Sequence, residues 1–96
     1  MDLNYIAIDL ETTGLDAKRD KIIEVGALRV QEGIAVARYH SLVNPHRKLE
    51  SRIQELTGIR DEMVEIAPNI EDIMAEIVDF CGELPLLGHY VIFDYS

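Results

Sequence analysis

Tyr5-Ile6-Ala7-Ile8-Asp9-Leu10 is a short, almost continuous apolar run, and Glu11-Thr12-Thr13-Gly14-Leu15 follows it directly. Residues that favour strands dominate the run, a pattern typical of a strand buried on both faces. We therefore predict that residues 5–10 form the central strand of a sheet. The two-residue spacing of Asp9 and Glu11 points both carboxylates to the same side of that strand.

Two more segments, residues 22–30 and 34–43, have the character of strands. The short polar connection Gln31-Glu32-Gly33 joins them and offers a glycine where a positive φ is needed. The two segments are therefore predicted to form an antiparallel hairpin beside the central strand.

The second half of the chain changes to a helical period. Apolar residues recur three and four positions apart over residues 70–81, which predicts an amphipathic helix. Asn69 is a good N-cap for this helix, and Gly82 is expected to cap its C-terminal end. Shorter helices are predicted over residues 51–56 and 61–64.

Residues 84–88 are predicted to form a short strand parallel to the first, since a long helical crossover precedes them. The fold class is therefore α/β, with a mixed sheet. An antiparallel hairpin lies beside the central strand, and a parallel strand follows the helical crossover. A chain of 96 residues allows one domain, which we assign to residues 1–96.

The 18 acidic and 9 basic residues give the chain a formal net charge of −9. That sign is wrong for binding nucleic acid through surface charge alone, although a carboxylate cluster attracts divalent cations that bind phosphate. Solubility explains the acidity equally well. No apolar run is long enough to span a membrane, and we expect a cytoplasmic protein. The single cysteine, Cys81, excludes an internal disulfide and is predicted to be a small core residue.

Asp9 and Glu11 are the first candidates for chemistry. An acid within an apolar strand is costly to bury unless a cation compensates its charge, as a divalent cation does well. A bare Asp-x-Glu pair is also compatible with Asp9 capping the next turn and Glu11 facing solvent. The spacing alone leaves both interpretations open.

The wider string Ile8-Asp9-Leu10-Glu11-Thr12-Thr13-Gly14-Leu15 resembles the first motif of the DnaQ-like (DEDD) 3′–5′ exonucleases, which have the RNase H-like fold. The resemblance continues through residues 22–27, 53–64 and 88–94, and so covers essentially the whole chain. The middle segment is most similar to the exonuclease domain of Gram-positive replicative DNA polymerases. The chain also resembles the epsilon subunit of DNA polymerase III.

This resemblance implies two metal ions, Mg²⁺ or Mn²⁺, held by four acidic residues, with a histidine as general base. Asp9, Glu11 and Asp94 match metal-ligand positions and are the predicted catalytic residues. The resemblance also implies a substrate-binding turn beneath the 3′-terminal nucleotide and a second segment near its base, which are Thr12, Thr13, Gly14 and Leu15, and Thr57, Gly58 and Ile59. From the sequence alone, Leu15 is equally a loop residue that folds back on the core. The second segment is equally a turn that ends a helix.

Two departures from the family pattern affect what is implied. Tyr90 stands where the family's second motif has asparagine, which puts a polar role at that position in doubt. The family's third motif, His-x-x-x-x-Asp, supplies the general base and the fourth acid, and no such motif follows Asp94. His89 and Asp94 have that spacing, but Gly88 and Phe93 match the second motif, so His89 is expected to be structural. We therefore expect a sheet truncated at its C-terminal end and an incomplete exonuclease domain.

Three other polar residues are assigned less sharply. Glu24 is either a carboxylate close to the metal ions or an exposed strand residue. His40 and His46 have no acidic partner close in sequence and are expected to be structural or solvent-facing.

The leading hypothesis is the N-terminal portion of a metal-dependent 3′–5′ exonuclease that releases nucleoside monophosphates. Without the third motif, the isolated chain is expected to be inactive or very slow. The alternative is a shortened, non-catalytic relative that binds a polymerase subunit or a nucleic-acid end, and a third possibility is a piece of a longer enzyme. Expected partners are the single-stranded 3′ end of DNA or RNA and a DNA polymerase subunit, with no membrane. An uncovered apolar surface also predicts self-association as a homodimer.

Overall fold

The sheet has four strands, β1 (Tyr5–Thr12), β2 (Ile22–Gln31), β3 (Ile34–Leu42) and β4 (Leu86–Gly88), in a computed structural model that describes residues 3–14, 16 and 18–88. Their order is β3-β2-β1-β4. Neighbouring strands are antiparallel except β1 and β4, which are parallel. The predicted central strand, hairpin and parallel strand are confirmed, and with them the mixed sheet.

Strand β1 alternates strictly between a core face and an open face. Ile6, Ile8 and Leu10 are buried, whereas Asp9 between them is exposed. The expectation that this strand is buried on both faces is therefore wrong for the described part of the chain. Ala7 on the open face is only half-buried, which leaves the strand with the two-residue period of a sheet that packs on one side.

The β2–β3 hairpin turns through Glu32 and Gly33, which both have positive φ (53° and 80°). Two consecutive residues of positive φ suit a two-residue hairpin, because the turn then follows the twist of the strands. Glycine at this position was predicted, but Glu32 shares its unusual backbone conformation. The Glu32 N–H donates to Asn4 Oδ1 (2.9 Å) and the Gly33 N–H to the Leu3 carbonyl (3.1 Å), so the segment before β1 holds the turn.

Three helices follow the hairpin, α1 (Ser51–Thr57), α2 (Asp61–Glu65) and α3 (Ile70–Cys81), as the sequence predicted. Asn69 occupies the N-cap position of α3, but its side chain makes no capping hydrogen bond. Its Oδ1 lies instead 2.6 Å from His46 Nε2, which corrects the predicted capping role. Gly82 does end the helix, with a φ of 56° and its N–H bonded to the Val78 carbonyl. None of the helices in residues 3–88 that the structure describes could span a membrane.

Apolar side chains form two clusters on the sheet. The first joins β1, β2 and α3 through Ile6, Ile8, Leu10, Val25, Ala27, Val43 and Ile73. The second joins β2 to the segment that contains α1 and α2 through Ile23, Leu49, Ile53, Ile59 and Val64. Helices α1 and α3 are thus anchored to the sheet by different cores.

Helix α3 is tied to the sheet by polar as well as apolar contacts. The Arg29 guanidinium donates to the Phe80 carbonyl and lies 5.0 Å from the Phe80 ring centroid. Tyr39 packs its ring against Phe80 and donates its hydroxyl to Glu76 (3.1 Å). Cys81 is half-buried beside the first cluster, and burial raises the pKa of its thiol, which suits a core residue and not a nucleophile.

We expect Ile6→Ala to lower the free energy of unfolding by about 2–5 kcal/mol, because Ile6 is 0% exposed and its loss leaves a cavity. Ile34→Ala is the matched control, since Ile34 lies in β3 and is 67% exposed. It should cost less than about 1 kcal/mol. Urea denaturation of both variants measures the difference, and equal losses would contradict the assignment of the core face.

Candidate functional site

A band of polar side chains crosses three strands on the open face of the sheet. Glu11 on β1 lies directly opposite Glu24 on β2, and Asp9 lies opposite Gly26. Glu24 in turn pairs with His40 of β3, whose Nε2 is 2.6 Å from a Glu24 carboxylate oxygen. His40 therefore has the acidic partner that its sequence neighbourhood did not suggest. Glu24 thus lies across the strand pair from Glu11, and a role for it close to metal ions stays a prediction.

The surroundings of Glu11 disfavour its charged form. Partial burial is the main cause that raises the pKa of Glu11, and the negative charges of Asp9 and Glu24 raise it further. Removing carboxylates from water and grouping them both favour the protonated form. A bound cation would remove this penalty by supplying the missing positive charge.

The turn after β1 is fixed by its own side chains. A register irregularity separates Glu11 from Thr12, and the Thr12 hydroxyl donates to the Gly14 carbonyl. The Thr13 hydroxyl donates to Asp20 (2.9 Å), and this carboxylate lies so close to Gly14 that a Cβ there would collide with it. Glycine is therefore the residue that lets the two arms of the turn approach each other.

The same Asp20 carboxylate organises the loop beyond the turn. It accepts the backbone N–H of Asp16 (2.9 Å) as well as the Thr13 hydroxyl. These two hydrogen bonds, the backbone one first, lower the pKa of Asp20 because they stabilise its charged form. The loop thus holds its shape through an ionised carboxylate.

A pocket of about 450 Å³ opens between the end of β1 and helix α1. It is lined by Glu11, Thr12, Gly14, Arg52, Ile53, Leu56 and Thr57. The Thr57 hydroxyl donates to the Ile53 carbonyl (2.8 Å) and accepts the Ile59 N–H (3.1 Å), which fixes the end of α1. One wall is therefore acidic and the other combines a cation with apolar side chains.

The structure brings together part of the predicted substrate-binding set. Thr12, Gly14 and Thr57 all line the pocket with Glu11. Gly58 caps α1 with a φ of 77°, and Ile59 is only 4% exposed because it packs in the second core. We therefore place Ile59 in the core and not at the pocket. The hydroxyl of Thr13, as described above, is directed to Asp20.

Five residues singled out in the sequence lie outside the described residues, namely Leu15, His89, Tyr90, Phe93 and Asp94. Within the part of the chain that the structure describes, no three acidic, histidine or cysteine side chains are grouped so as to hold a metal ion. Asp9 and Glu11 are thus the described portion of the predicted metal site.

Two lining residues, Arg52 and Leu56, had no assigned role in the sequence. Both lie on α1, four positions apart, so the helical period places them on the same side of the helix. That spacing was visible in the sequence, but the packing of α1 against the end of β1 was not.

The sequence of the chain matches a known protein family over most of its length. The exonuclease family RNase_T matches residues 6–96. The chain belongs to this exonuclease family. The resemblance inferred from the motifs is thereby confirmed.

Relatives of this exonuclease domain include replicative polymerases. The chain is 41% identical over 91 residues to the PolC-type DNA polymerase III of Thermotoga petrophila, covering 95% of the chain and 7% of the polymerase. It is 40% identical over 90 residues to the PolC-type polymerase of Bacillus subtilis, covering 94% of the chain and 6% of the polymerase. The 96 residues therefore span only a small fraction of the length of these relatives.

Solved exonuclease structures share the fold. A structure of exonuclease X with 5′-overhanging duplex DNA superposes with a TM-score of 0.78 at 29% identity, over 94% of this chain and 51% of that one. Apo exonuclease I superposes with a TM-score of 0.79 at 19% identity, over 98% of this chain and 23% of that one. The nuclease domain of 3′hExo, a DEDDh family member, matches with a TM-score of 0.73 at 18% identity, over 91% of this chain and 50% of that one. The RNase H-like exonuclease fold predicted from the motifs is confirmed.

Glu11→Gln should raise the melting temperature near pH 7 when divalent cations are absent. The pKa of Glu11 is raised above its ordinary value of 4.5, so the stability that the protonated carboxyl contributes is fully present below pH 4.5. This contribution is lost as the pH rises through the folded-state pKa, and ionised Glu11 therefore opposes folding. The gain should vanish below about pH 4, where the wild-type carboxyl is itself protonated. Differential scanning calorimetry across this range measures it.

Glu55→Gln serves as the control, because Glu55 is an exposed residue on α1 that does not line the pocket. It should leave the melting temperature nearly unchanged. A Glu11→Gln variant that melts below the wild type near neutral pH would contradict the crowding of negative charge at this face.

Proposed function

We propose that this domain removes nucleotides one at a time from the 3′ end of a nucleic-acid strand, with Mg²⁺ or Mn²⁺ as cofactor. The observation that carries the proposal is the pocket in which Glu11 meets Thr12, Gly14 and Thr57. Membership of the exonuclease family supports the reaction class.

The described donor set suits a hard divalent cation. Asp9 and Glu11 offer carboxylate oxygens, the ligands that Mg²⁺ and Mn²⁺ prefer, and the raised pKa of Glu11 marks a site that gains from positive charge. Asp94, which lies outside the described residues, is proposed as the third ligand and catalytic residue. When bound, the ions would activate water and stabilise the charge that develops on the phosphodiester oxygens.

The remaining residues of the pocket would bind and orient the strand. The hydroxyls of Thr12 and Thr57 are used in hydrogen bonds to backbone carbonyls, so these residues shape the walls of the pocket. Gly14 contributes by letting the Asp20 carboxylate approach the turn closely, which sets the shape of this end of the pocket. We propose Leu15, outside the described residues, as a contact for the terminal base.

We favour DNA as the substrate over RNA. The relatives that share about 40% identity are DNA polymerases, and exonuclease X was solved with duplex DNA. On the same grounds the domain would act beside a polymerase, in proofreading. A cytoplasmic location and a homodimer both stay predictions. Val78 on α3 is an exposed apolar residue that a second copy of the chain could contact, and sedimentation tests for the dimer.

The second candidate function is a non-catalytic module that binds a nucleic-acid end or a polymerase subunit. It concerns the 96 residues taken by themselves, in which the His-x-x-x-x-Asp spacing occurs once, at His89 and Asp94, within the segment matched to the second motif. General-base loss typically costs about 10²–10⁴ in rate, so these residues alone would cleave very slowly.

Mn²⁺ and Mg²⁺ are expected to raise the melting temperature of the chain, because they bind the folded carboxylates and not the unfolded ones. Asp9→Asn should abolish that rise, and without metal it should melt no lower than the wild type, because Asp9 is exposed and its charge disfavours that of Glu11. Asp79→Asn, at an exposed position on α3, is the control and should keep the rise. A melting temperature that neither Mg²⁺ nor Mn²⁺ changes would rule out the metal site.

A digestion assay separates the two candidate functions. A single strand labelled at its 3′ end is incubated with Mn²⁺ and either the 96-residue chain or a version extended through the genomic reading frame. We expect release of labelled mononucleotide by an extended protein that supplies a His-x-x-x-x-Asp segment, and loss of release in its Asp9→Asn variant. Binding without release by such an extended protein would support the non-catalytic module.

A further inference from the structure

We propose that Arg52 binds an internucleotide phosphate of the strand whose 3′ end occupies the pocket. This inference rests on the proposed function. It names a strand-binding residue outside the two predicted substrate-binding segments, residues 12–15 and 57–59. Arg52 is the one basic residue among the side chains that line the described pocket. No role had been assigned to it from the sequence.

The guanidinium of Arg52 is available for a ligand. Its side chain is 70% exposed, and its recorded ion pair is with Glu50 at 3.6 Å, between two solvent-exposed groups. That separation exceeds hydrogen-bonding distance, and exposed ion pairs of this kind contribute little. A phosphate therefore displaces almost nothing when it binds the guanidinium.

The charge distribution of the pocket calls for a cation at this position. Glu11 forms part of the opposite wall, and the chain as a whole carries a formal charge of −9. A nucleic-acid strand entering this field is repelled unless positive charge lies along its path. Arginine suits the task because its planar fork of N–H donors matches two phosphate oxygens at once.

Helix α1 places Leu56 at a distance from Arg52 that suits two parts of one nucleotide strand. Leu56 follows Arg52 by four positions on α1, and it lines the same pocket although 76% of it is exposed. Four residues correspond to a rise of about 6 Å along a helix. A base can therefore pack on Leu56 while a phosphate of the same strand reaches Arg52, so one helix face contacts both parts of a nucleotide.

The test is the binding of an oligothymidylate with a free 3′ hydroxyl and a 5′ fluorescein, followed by fluorescence anisotropy in Mg²⁺ at several salt concentrations. Arg52→Gln should weaken binding on the order of threefold to tenfold and reduce the slope of log K against log salt by about 0.7, the value for one lost phosphate contact on a single strand. Arg52→Lys should keep the slope and lose part of the affinity, because it keeps the charge without the fork.

Lys48→Gln is the charge-matched control, since Lys48 is exposed and does not line the pocket. It should change affinity less than Arg52→Gln does. A second probe carries neutral methylphosphonate linkages near the 3′ end. On that probe the penalty of Arg52→Gln should disappear.

Three outcomes would overturn the proposal. They are equal effects of Arg52→Gln and Lys48→Gln, an unchanged salt slope, and a penalty that persists on the methylphosphonate probe. In each case the wild type still binds the strand, so the proposed function stands. A wild-type chain that fails to bind the unmodified probe overturns the role of Arg52 and the proposed function together.

Discussion

The two-residue period of strand β1 separates the chemistry of this domain from its core. Ile6, Ile8 and Leu10 face inward, and Asp9 and Glu11 face the open side of the sheet. A shift of one residue in the pairing with β2 would exchange the two faces and bury both carboxylates, at a large cost in free energy. The core therefore holds the acids in register, and their position follows from the burial of their neighbours.

The open face carries a concentration of negative charge that the fold tolerates but does not favour. The raised pKa of Glu11 reflects this, with Glu24 directly across the strand pair and Asp9 two residues before it. His40 contacts Glu24 on this face, with its Nε2 at 2.6 Å from a carboxylate oxygen. Perturbed carboxyl groups cluster at functional sites, and this is the physical ground on which we propose cation binding at this face.

Local pattern predicted most of the fold and only part of the site. Strand β1 follows from its run of apolar, strand-favouring residues, although its open face was not predicted, and helix α3 follows from the helical period of its apolar residues. The pairing of His40 with Glu24 depends on the register between β2 and β3, which no local pattern specifies. Asn69 shows the same limit, since its partner His46 is distant in sequence and competes with the expected cap.

The pocket illustrates why residue roles were harder to predict than elements. Thr12 and Gly14 adjoin the acids in sequence, so a shared site was foreseeable. Arg52 joins them only because α1 packs beside the end of β1, a long-range contact. Ile59 lies close to Thr57 in sequence, yet the turn after α1 directs it into the core. Thr57 therefore lines the pocket, whereas Ile59, two residues later, packs in the second core with residues of α1 and α2.

The two walls of the pocket, one from β1 and one from α1, pack on different hydrophobic cores. The β1 wall is supported by the first core, whereas the α1 wall is supported by the second through Ile53. The cores adjoin along β2, where Ile23 belongs to one and Val25 to the other. Because the two walls rest on different cores, a change in how α1 packs on the second core would alter the width of the cleft and leave the pairing of β1 with β2 intact.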